Sequence, residues 1–169
     1  FSRITLPLNK FGAKFYHKRK GKLPLTIQGS KTIKSISYLE KKGSAQCKSS
    51  VMLAALNASG TTSIKAKKSR NHTELLYKYL RLPIKIKKTK KYDFIDILRP
   101  KKINAFDYHI PGDISSSAFF IVLTILTKNS KLLIRNVNIN SSRAGIIKIL
   151  KKMGALITIK KEREYRGEK

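Results

Sequence analysis

Apolar positions along the chain follow the helical period in some stretches and the strand period in others, and each switch marks an element boundary. Phe1-Ser2-Arg3-Ile4 reads as the interior of an amphipathic helix that runs to about Phe11 and stops at Gly12. Strands are predicted over 13–17 and 23–28, joined by a basic turn around Gly21, with a further strand over 32–38. A helix over 45–57 follows. Then come a turn at Ser59-Gly60, a strand over 62–66, a helix over 72–80, and strands over 84–87 and 94–98. Beyond Pro111-Gly112-Asp113 the series resumes with a helix over 115–126, a strand over 131–137, a helix over 143–153 and a strand over 155–160. The alternation places the chain in the α/β (α+β) class.

Landmarks recur within this series. Phe11-Gly12-Ala13, Leu82-Pro83-Ile84 and Met153-Gly154-Ala155 each end a helix and enter a strand, and Gly12, Pro83 and Gly154 are spaced 71 residues apart. Ser69-Arg70 and Ser142-Arg143 recur 73 residues apart, each opening the helix before such a junction. The repeating unit is roughly a βαβαββ module, too small to bury its sheet alone and in need of neighbours. Chance likeness among short amphipathic units is the plain alternative, and several landmarks keeping one spacing argue against it. The chain opens inside a helical pattern without an initiator Met or a cap, and no clear stop precedes Glu168-Lys169. A fragment is the expectation.

Composition changes the picture in one respect, the choice of partner. At 41% hydrophobic over 169 residues the chain can pack a core. Its 38 Lys and Arg against nine Asp and Glu give a formal charge of +29, which calls for an anionic partner. The lysines are spread along the whole chain. The aromatic residues sit at core-like spacings and do not interleave with basic ones as a nucleic-acid stacking platform requires. A phosphorylated metabolite satisfies the charge as well as DNA does, so no nucleic-acid partner is expected. The apolar run over 118–126 is too short to span a bilayer, and no signal-peptide pattern opens the chain, so no membrane partner is expected either. The lone Cys47 excludes an internal disulfide framework and fits a reducing, cytoplasmic compartment. On the apolar side of its helix it reads as a small buried hydrophobe rather than a nucleophile.

Candidate chemistry gathers at three predicted helix starts, Ser44-Ala45-Gln46, Ser69-Arg70-Asn71-His72-Thr73-Glu74 and Pro111-Gly112-Asp113-Ile114-Ser115-Ser116-Ser117. A helix start offers unpaired N–H groups and the positive end of the helix dipole. Ser44 alone would be an ordinary N-cap, while Gln46 adds a donor and an acceptor that suit a polyhydroxylated ligand. Asn71 with Glu74 three residues later fits a capping box in part. Capping does not need Arg70, whose fork binds phosphate or carboxylate bidentately, nor His72, which can donate to a hydroxyl or an anion. Asp113 can cap the helix that starts at Ser115.

Taken with their flanks, Gly21-Lys22-Leu23-Pro24-Leu25-Thr26-Ile27-Gln28-Gly29 and Leu150-Lys151-Lys152-Met153-Gly154-Ala155, the three strings resemble the central motifs of the 5-enolpyruvylshikimate-3-phosphate synthase family, in the family's order. The resemblance covers essentially the whole chain but well under half of a family member. It implies a two-domain inside-out α/β barrel of six βαβαββ modules, incomplete here. Residues 1–109 would belong to the first domain and 110–169 to the second, with the hinge near 110–113. It also implies a transferase of the shikimate pathway (chorismate and aromatic amino-acid biosynthesis). Such an enzyme moves the enolpyruvyl group of phosphoenolpyruvate to the 5-hydroxyl of shikimate 3-phosphate and releases phosphate, as a monomer and without metal or other cofactor. Ser44, Ala45 (through its backbone), Gln46, Ser69, Arg70 and His72 would contact shikimate 3-phosphate, and Gln46 would also reach phosphoenolpyruvate. The family often carries Tyr where His72 stands, so that assignment holds for a Ser-Arg-x-His branch. Asp113 would line the cleft at the crossing between domains. The catalytic residues would lie outside these 169 positions, leaving the fragment inactive alone.

Two rivals stand beside this reading. A UDP-N-acetylglucosamine enolpyruvyl transferase shares the fold but lacks the Ser-Ala-Gln and Ser-Arg-x-His-Thr-Glu strings, and Cys47 does not match its loop cysteine. A basic nucleic-acid-binding module would show steeply salt-dependent binding to random duplex DNA.

Overall fold

Apolar residues alternate with basic and polar ones in Thr61–Lys67 and Tyr92–Leu98, which gives each strand one face for a core and one for water. In the computed structural model, which describes residues 1–19 and 21–169, these become the two central strands of a four-stranded sheet. In chain order the elements are α1 (Ser2–Lys10), β1 (Lys14–His17), β2 (Leu25–Gln28), β3 (Ser37–Glu40), α2 (Ala45–Ala55), β4 (Thr61–Lys67), α3 (His72–Tyr79), β5 (Ile84–Lys88), β6 (Tyr92–Leu98), α4 (Ile114–Leu126) and α5 (Gly145–Lys152). The chain divides into two compact units, Phe1–Ile103 and Asn104–Lys169.

From β3 to β6 the first unit is one complete βαβαββ module, as the repeat suggested. The sheet order is β3-β4-β6-β5, with β3 parallel to β4 and with β6 antiparallel to both β4 and β5. Parallel neighbours need a crossover, and α2 supplies it between β3 and β4. One face of the sheet closes on α2. Ile64 and Ala66 of β4 and Ile95 and Ile97 of β6 pack with Val51, Met52 and Ala55 of α2, with Tyr77 of α3 and Phe11 completing the cluster. Burying one such aliphatic side chain is worth about 1.5–3 kcal/mol, so this apolar face fixes the register of both strands. β1 and β2 form a separate antiparallel pair in which Lys14 faces Gln28 and His17 faces Leu25. The basic turn expected around Gly21 includes Lys20, which lies outside the described residues.

Three helices end in the same way. At the ends of α1, α3 and α5 the N–H groups of Ala13, Leu82 and Ala155 reach back to the carbonyls of Leu8, Tyr77 and Leu150, while Gly12, Arg81 and Gly154 donate to Asn9, Lys78 and Lys151. This is the Schellman termination, in which the residue after the cap takes a left-handed conformation. That residue is Gly12 (φ +96°), Arg81 (φ +53°) or Gly154 (φ +92°). The repeat is real, but its middle landmark is Arg81 and not Pro83. The structural intervals are therefore 69 and 73 residues rather than a uniform 71, and the second agrees with the recurrence of Ser-Arg. Proline marked the strand entry because it cannot continue a helix, two residues beyond the position that turns the chain.

In the second unit α4 and α5 form close to their expected bounds, but the strands expected over 131–137 and 155–160 do not. A strand exists only through its ladder partner. Here the pairing shrinks to one parallel bridge, Gly112 with Val137, held by Gly112 N–H to Asn136 O at 2.7 Å and Asn138 N–H to Gly112 O at 3.0 Å. The bridge and α4 form the rudiment of a second βαβ. Leu133 and Leu156 stand exposed, as do Phe119, Leu123 and Leu126 of α4.

Arg81 holds a conformation that costs a non-glycine residue roughly 1–2 kcal/mol. Arg81→Gly is expected to raise the unfolding free energy by about 1 kcal/mol in urea titration. Unchanged or lower stability would contradict the strain assigned to this position.

Candidate functional site

The loops that follow β3 and β4 carry two of the three strings, and parallel pairing of those strands brings the loops side by side. Glu40, buried at the end of β3, folds the first loop by accepting the N–H groups of Lys42 (2.9 Å) and Gly43 (2.6 Å). Gly43 has φ +70°, and a Cβ there would stand 3.3 Å from the carbonyl of Lys68, so glycine allows the first loop to lie close to the second. Ser44 then caps α2, its Oγ accepting the N–H of Cys47 at 3.3 Å. That takes one of the first-turn donors and leaves the N–H groups of Ala45 and Gln46 directed outward at the positive end of the dipole. Cys47 is buried, in keeping with its reading as a small hydrophobe.

Lys48, one residue further, is fully buried at 0% exposure. Its Nζ donates to Glu74 Oε1 at 2.5 Å and to the backbone carbonyl of Arg70 at 2.8 Å. Ser49 Oγ and Thr73 Oγ1 meet at 2.7 Å beside it. These contacts fasten the first turns of α2 and α3 together. They also replace the capping box. Asn71 is the N-cap of α3 but makes no capping bond with its side chain, and Glu74 turns inward to the ammonium instead of back to the helix start. A buried ammonium needs an anion more than a helix end needs a second cap, because an unpaired charge in the interior costs far more than a frayed donor. The signal lay in the sequence as a single lysine within a helix that is apolar almost all round.

Between the fastened turns opens a cleft of about 260 Å³ lined by Ala45, Gln46, Ser49, Arg70, His72 and Thr73. Four of the residues singled out in the sequence thus share one concavity, drawn from segments more than 20 positions apart. Ser44 sits behind them as the cap, and Ser69 Oγ is buried without a hydrogen-bond partner among the described residues. The Arg70 side chain is exposed, and its guanidinium has no ion-pair partner among them. The cleft therefore offers a helix start, an arginine fork, a hydroxyl and an imidazole side chain, a donor set suited to a phosphorylated, hydroxylated ligand. Among the described residues no group of His, Cys, Asp and Glu could hold a metal ion, and no helix is long and apolar enough to cross a membrane.

Asp113 belongs to the second unit, where it caps α4 by accepting the N–H of Ser115 at 2.9 Å. Arg143 pairs with the same carboxylate. The Ser115 N–H and the Arg143 guanidinium hold the carboxyl below the usual carboxylate range. The recurring Ser-Arg element thus serves different ends in its two copies. Arg70 stands open on a cleft, while Arg143 is tied to a cap.

Residues 1–169 match the family model described as EPSP synthase (3-phosphoshikimate 1-carboxyvinyltransferase). A 3-phosphoshikimate 1-carboxyvinyltransferase of Petrotoga mobilis is 42% identical over 170 residues, covering 98% of this chain and 38% of that protein. One of Bacillus subtilis is 39% identical over 160 residues, covering 94% of this chain and 36% of that protein. The solved EPSP synthase of Acinetobacter baumannii superposes with a TM-score of 0.75 at 35% identity, over 99% of this chain and 37% of that one. The chain spans somewhat over a third of the length of these relatives.

If the Lys48–Glu74 pair sets the geometry of the cleft, removing one partner leaves a buried charge. Lys48→Met alone is expected to destabilise the fold by about 3–5 kcal/mol, and Lys48→Met with Glu74→Leu by much less. Equal losses in the single and double variants, read by denaturant titration, would argue against a desolvated ion pair.

Proposed function

The chain belongs to the EPSP synthase (3-phosphoshikimate 1-carboxyvinyltransferase) family, and from that premise we propose that it supplies the shikimate 3-phosphate subsite of an enolpyruvyl transferase. The complete protein would move the enolpyruvyl group of phosphoenolpyruvate to the 5-hydroxyl of shikimate 3-phosphate and release phosphate, in the shikimate route to chorismate and the aromatic amino acids. It would work as a cytoplasmic monomer without metal or other cofactor. One observation carries the reading: Ala45, Gln46, Arg70 and His72 converge on one cleft at two adjoining helix starts.

Each group has a role that its chemistry suits. The N–H groups at the start of α2 and the Ser69 hydroxyl, which has no partner among the described residues, would donate to phosphate oxygens. The Arg70 fork adds a bidentate, fixed-direction charge. Gln46 and His72 would address ring hydroxyls, and Gln46 would also reach phosphoenolpyruvate. The +29 charge favours the encounter with two anionic substrates. Binding here orients shikimate 3-phosphate, and orientation contributes to rate only when the second substrate and the proton-transfer groups are also in place. We assign none of those groups to these 169 residues, and we place the hinge between domains at residues 110–113.

Calorimetric titration of shikimate 3-phosphate into the chain is expected to saturate, and Arg70→Ala to weaken it by at least about tenfold, the worth of a charged hydrogen-bonded contact. Unaltered affinity in Arg70→Ala would overturn the subsite. Given both substrates, the chain alone is expected to release no phosphate, and measurable release would show that a catalytic group has been missed.

A further inference from the structure

The sheet of the first unit has a second face, which no helix covers among the described residues. With Ile64, Ala66, Ile95 and Ile97 turned to the core, alternation turns Ser63, Lys65 and Lys67 of β4 and Tyr92, Phe94, Asp96 and Leu98 of β6 outward. Strand pairing sets Lys65 and Lys87 on either side of Phe94, Lys67 beside Tyr92, and Lys85 beside Asp96. The Lys65 ammonium lies 4.9 Å from the Tyr92 ring centre and 5.6 Å from that of Phe94, and Lys91 lies 5.6 Å from Tyr92. Phe94 and Leu98 are exposed, and Tyr92 is half-buried. The spacing along the chain had set nucleic acid aside because aromatic and basic residues do not alternate in sequence. Across the strands they do.

We propose that this outer face of the β3-β4-β6-β5 sheet binds single-stranded nucleic acid without sequence preference. Three features favour that occupant. The face is basic, since Lys65, Lys67, Lys85 and Lys87 stand on it against one carboxylate, that of Asp96. Tyr92 and Phe94 are two residues apart on one strand, about 7 Å along its axis. That is the reach of one extended nucleotide, so successive bases can stack on successive rings while the flanking lysines hold the phosphates. An arriving base takes the ring face, and the Lys65 ammonium swings from the ring to the adjoining phosphate. Beyond Phe94 the face ends in a cleft of about 290 Å³ to which Thr61, Lys85, Asp96 and Leu98 contribute, with room for a third base. A duplex, whose bases are already stacked and enclosed, could use only the lysines.

Fluorescence anisotropy of a labelled oligothymidylate against the chain over a salt series tests this. Phe94→Leu and Tyr92→Leu keep an apolar strand residue and remove the ring. Each is expected to weaken binding at least about fivefold with the salt slope unchanged. Lys65→Gln and Lys87→Gln are each expected to lower the slope of log K against log salt by about 0.7. Lys148→Gln with Lys151→Gln, on α5 in the other unit, is expected to change little, and Arg70→Ala to bind the oligonucleotide as the unaltered chain does. Circular dichroism identifies any ring variant that fails to fold, and the lysine slopes then decide. Equal affinity for a duplex of the same length would overturn the proposal, as would equal losses from the α5 pair. So would ring-dependent binding to phosphatidylglycerol vesicles without binding to the oligonucleotide.

Discussion

A lysine ammonium shut away from water organises the candidate site. Lys48 has no solvent, so Glu74 and the Arg70 carbonyl must satisfy it, and those two groups lie on a different loop and helix from its own. The interaction is costly to break from one side, which makes the relative placement of the starts of α2 and α3 nearly all-or-none. Everything that faces the cleft inherits that placement. Ala45 and Gln46 precede the lysine on α2, and Arg70 and His72 flank the carbonyl it holds and the helix of the glutamate that pairs with it. The pair contributes geometry, and ligand chemistry is left to the neighbours that line the cleft.

The same logic separates the two Ser-Arg elements. An arginine beside a helix start can meet either a ligand or a carboxylate already present. Asp113 is there for Arg143, and its carboxylate is held ionised by the Ser115 N–H and by that arginine. Among the described residues no carboxylate pairs with Arg70. Similar dipeptides at similar places in a repeat thus diverge through a single neighbouring side chain. Family membership places this chain among synthases of about two and a half times its length. The exposed apolar residues of α4 and the unpaired segments after it fit a module that completes its sheet with neighbours.

The two faces of the main sheet divide the work of the first unit. The inner face, aliphatic and closed by α2, fixes strand register and therefore the loops at the strand ends. The outer face bears no such constraint and is free to carry lysine and exposed rings. Strong positive charge is tolerated there because each side chain reaches water, whereas Lys48, turned inward, needed an acidic partner.

Sequence by itself determined the helices, the module and four of the residues that line the cleft, Ala45, Gln46, Arg70 and His72, but not Ser49 or Thr73. Apolar periodicity fixes elements locally, and Gln46, Arg70 and His72 carry chemistry that exceeds what capping needs. It also found the repeat, although it took Pro83 for the turning residue. Proline advertises a break, whereas the left-handed conformation of Arg81 leaves no mark in composition. Only the tertiary structure decided which polar groups meet. Glu74 left a capping box for Lys48, the segments over 131–137 and 155–160 went without ladders, and Tyr92 and Phe94 came to lie among lysines of other strands. Ion pairs, ladders and cross-strand neighbours join residues distant in sequence, and their energy depends on burial and partner position, which periodicity along one chain does not encode.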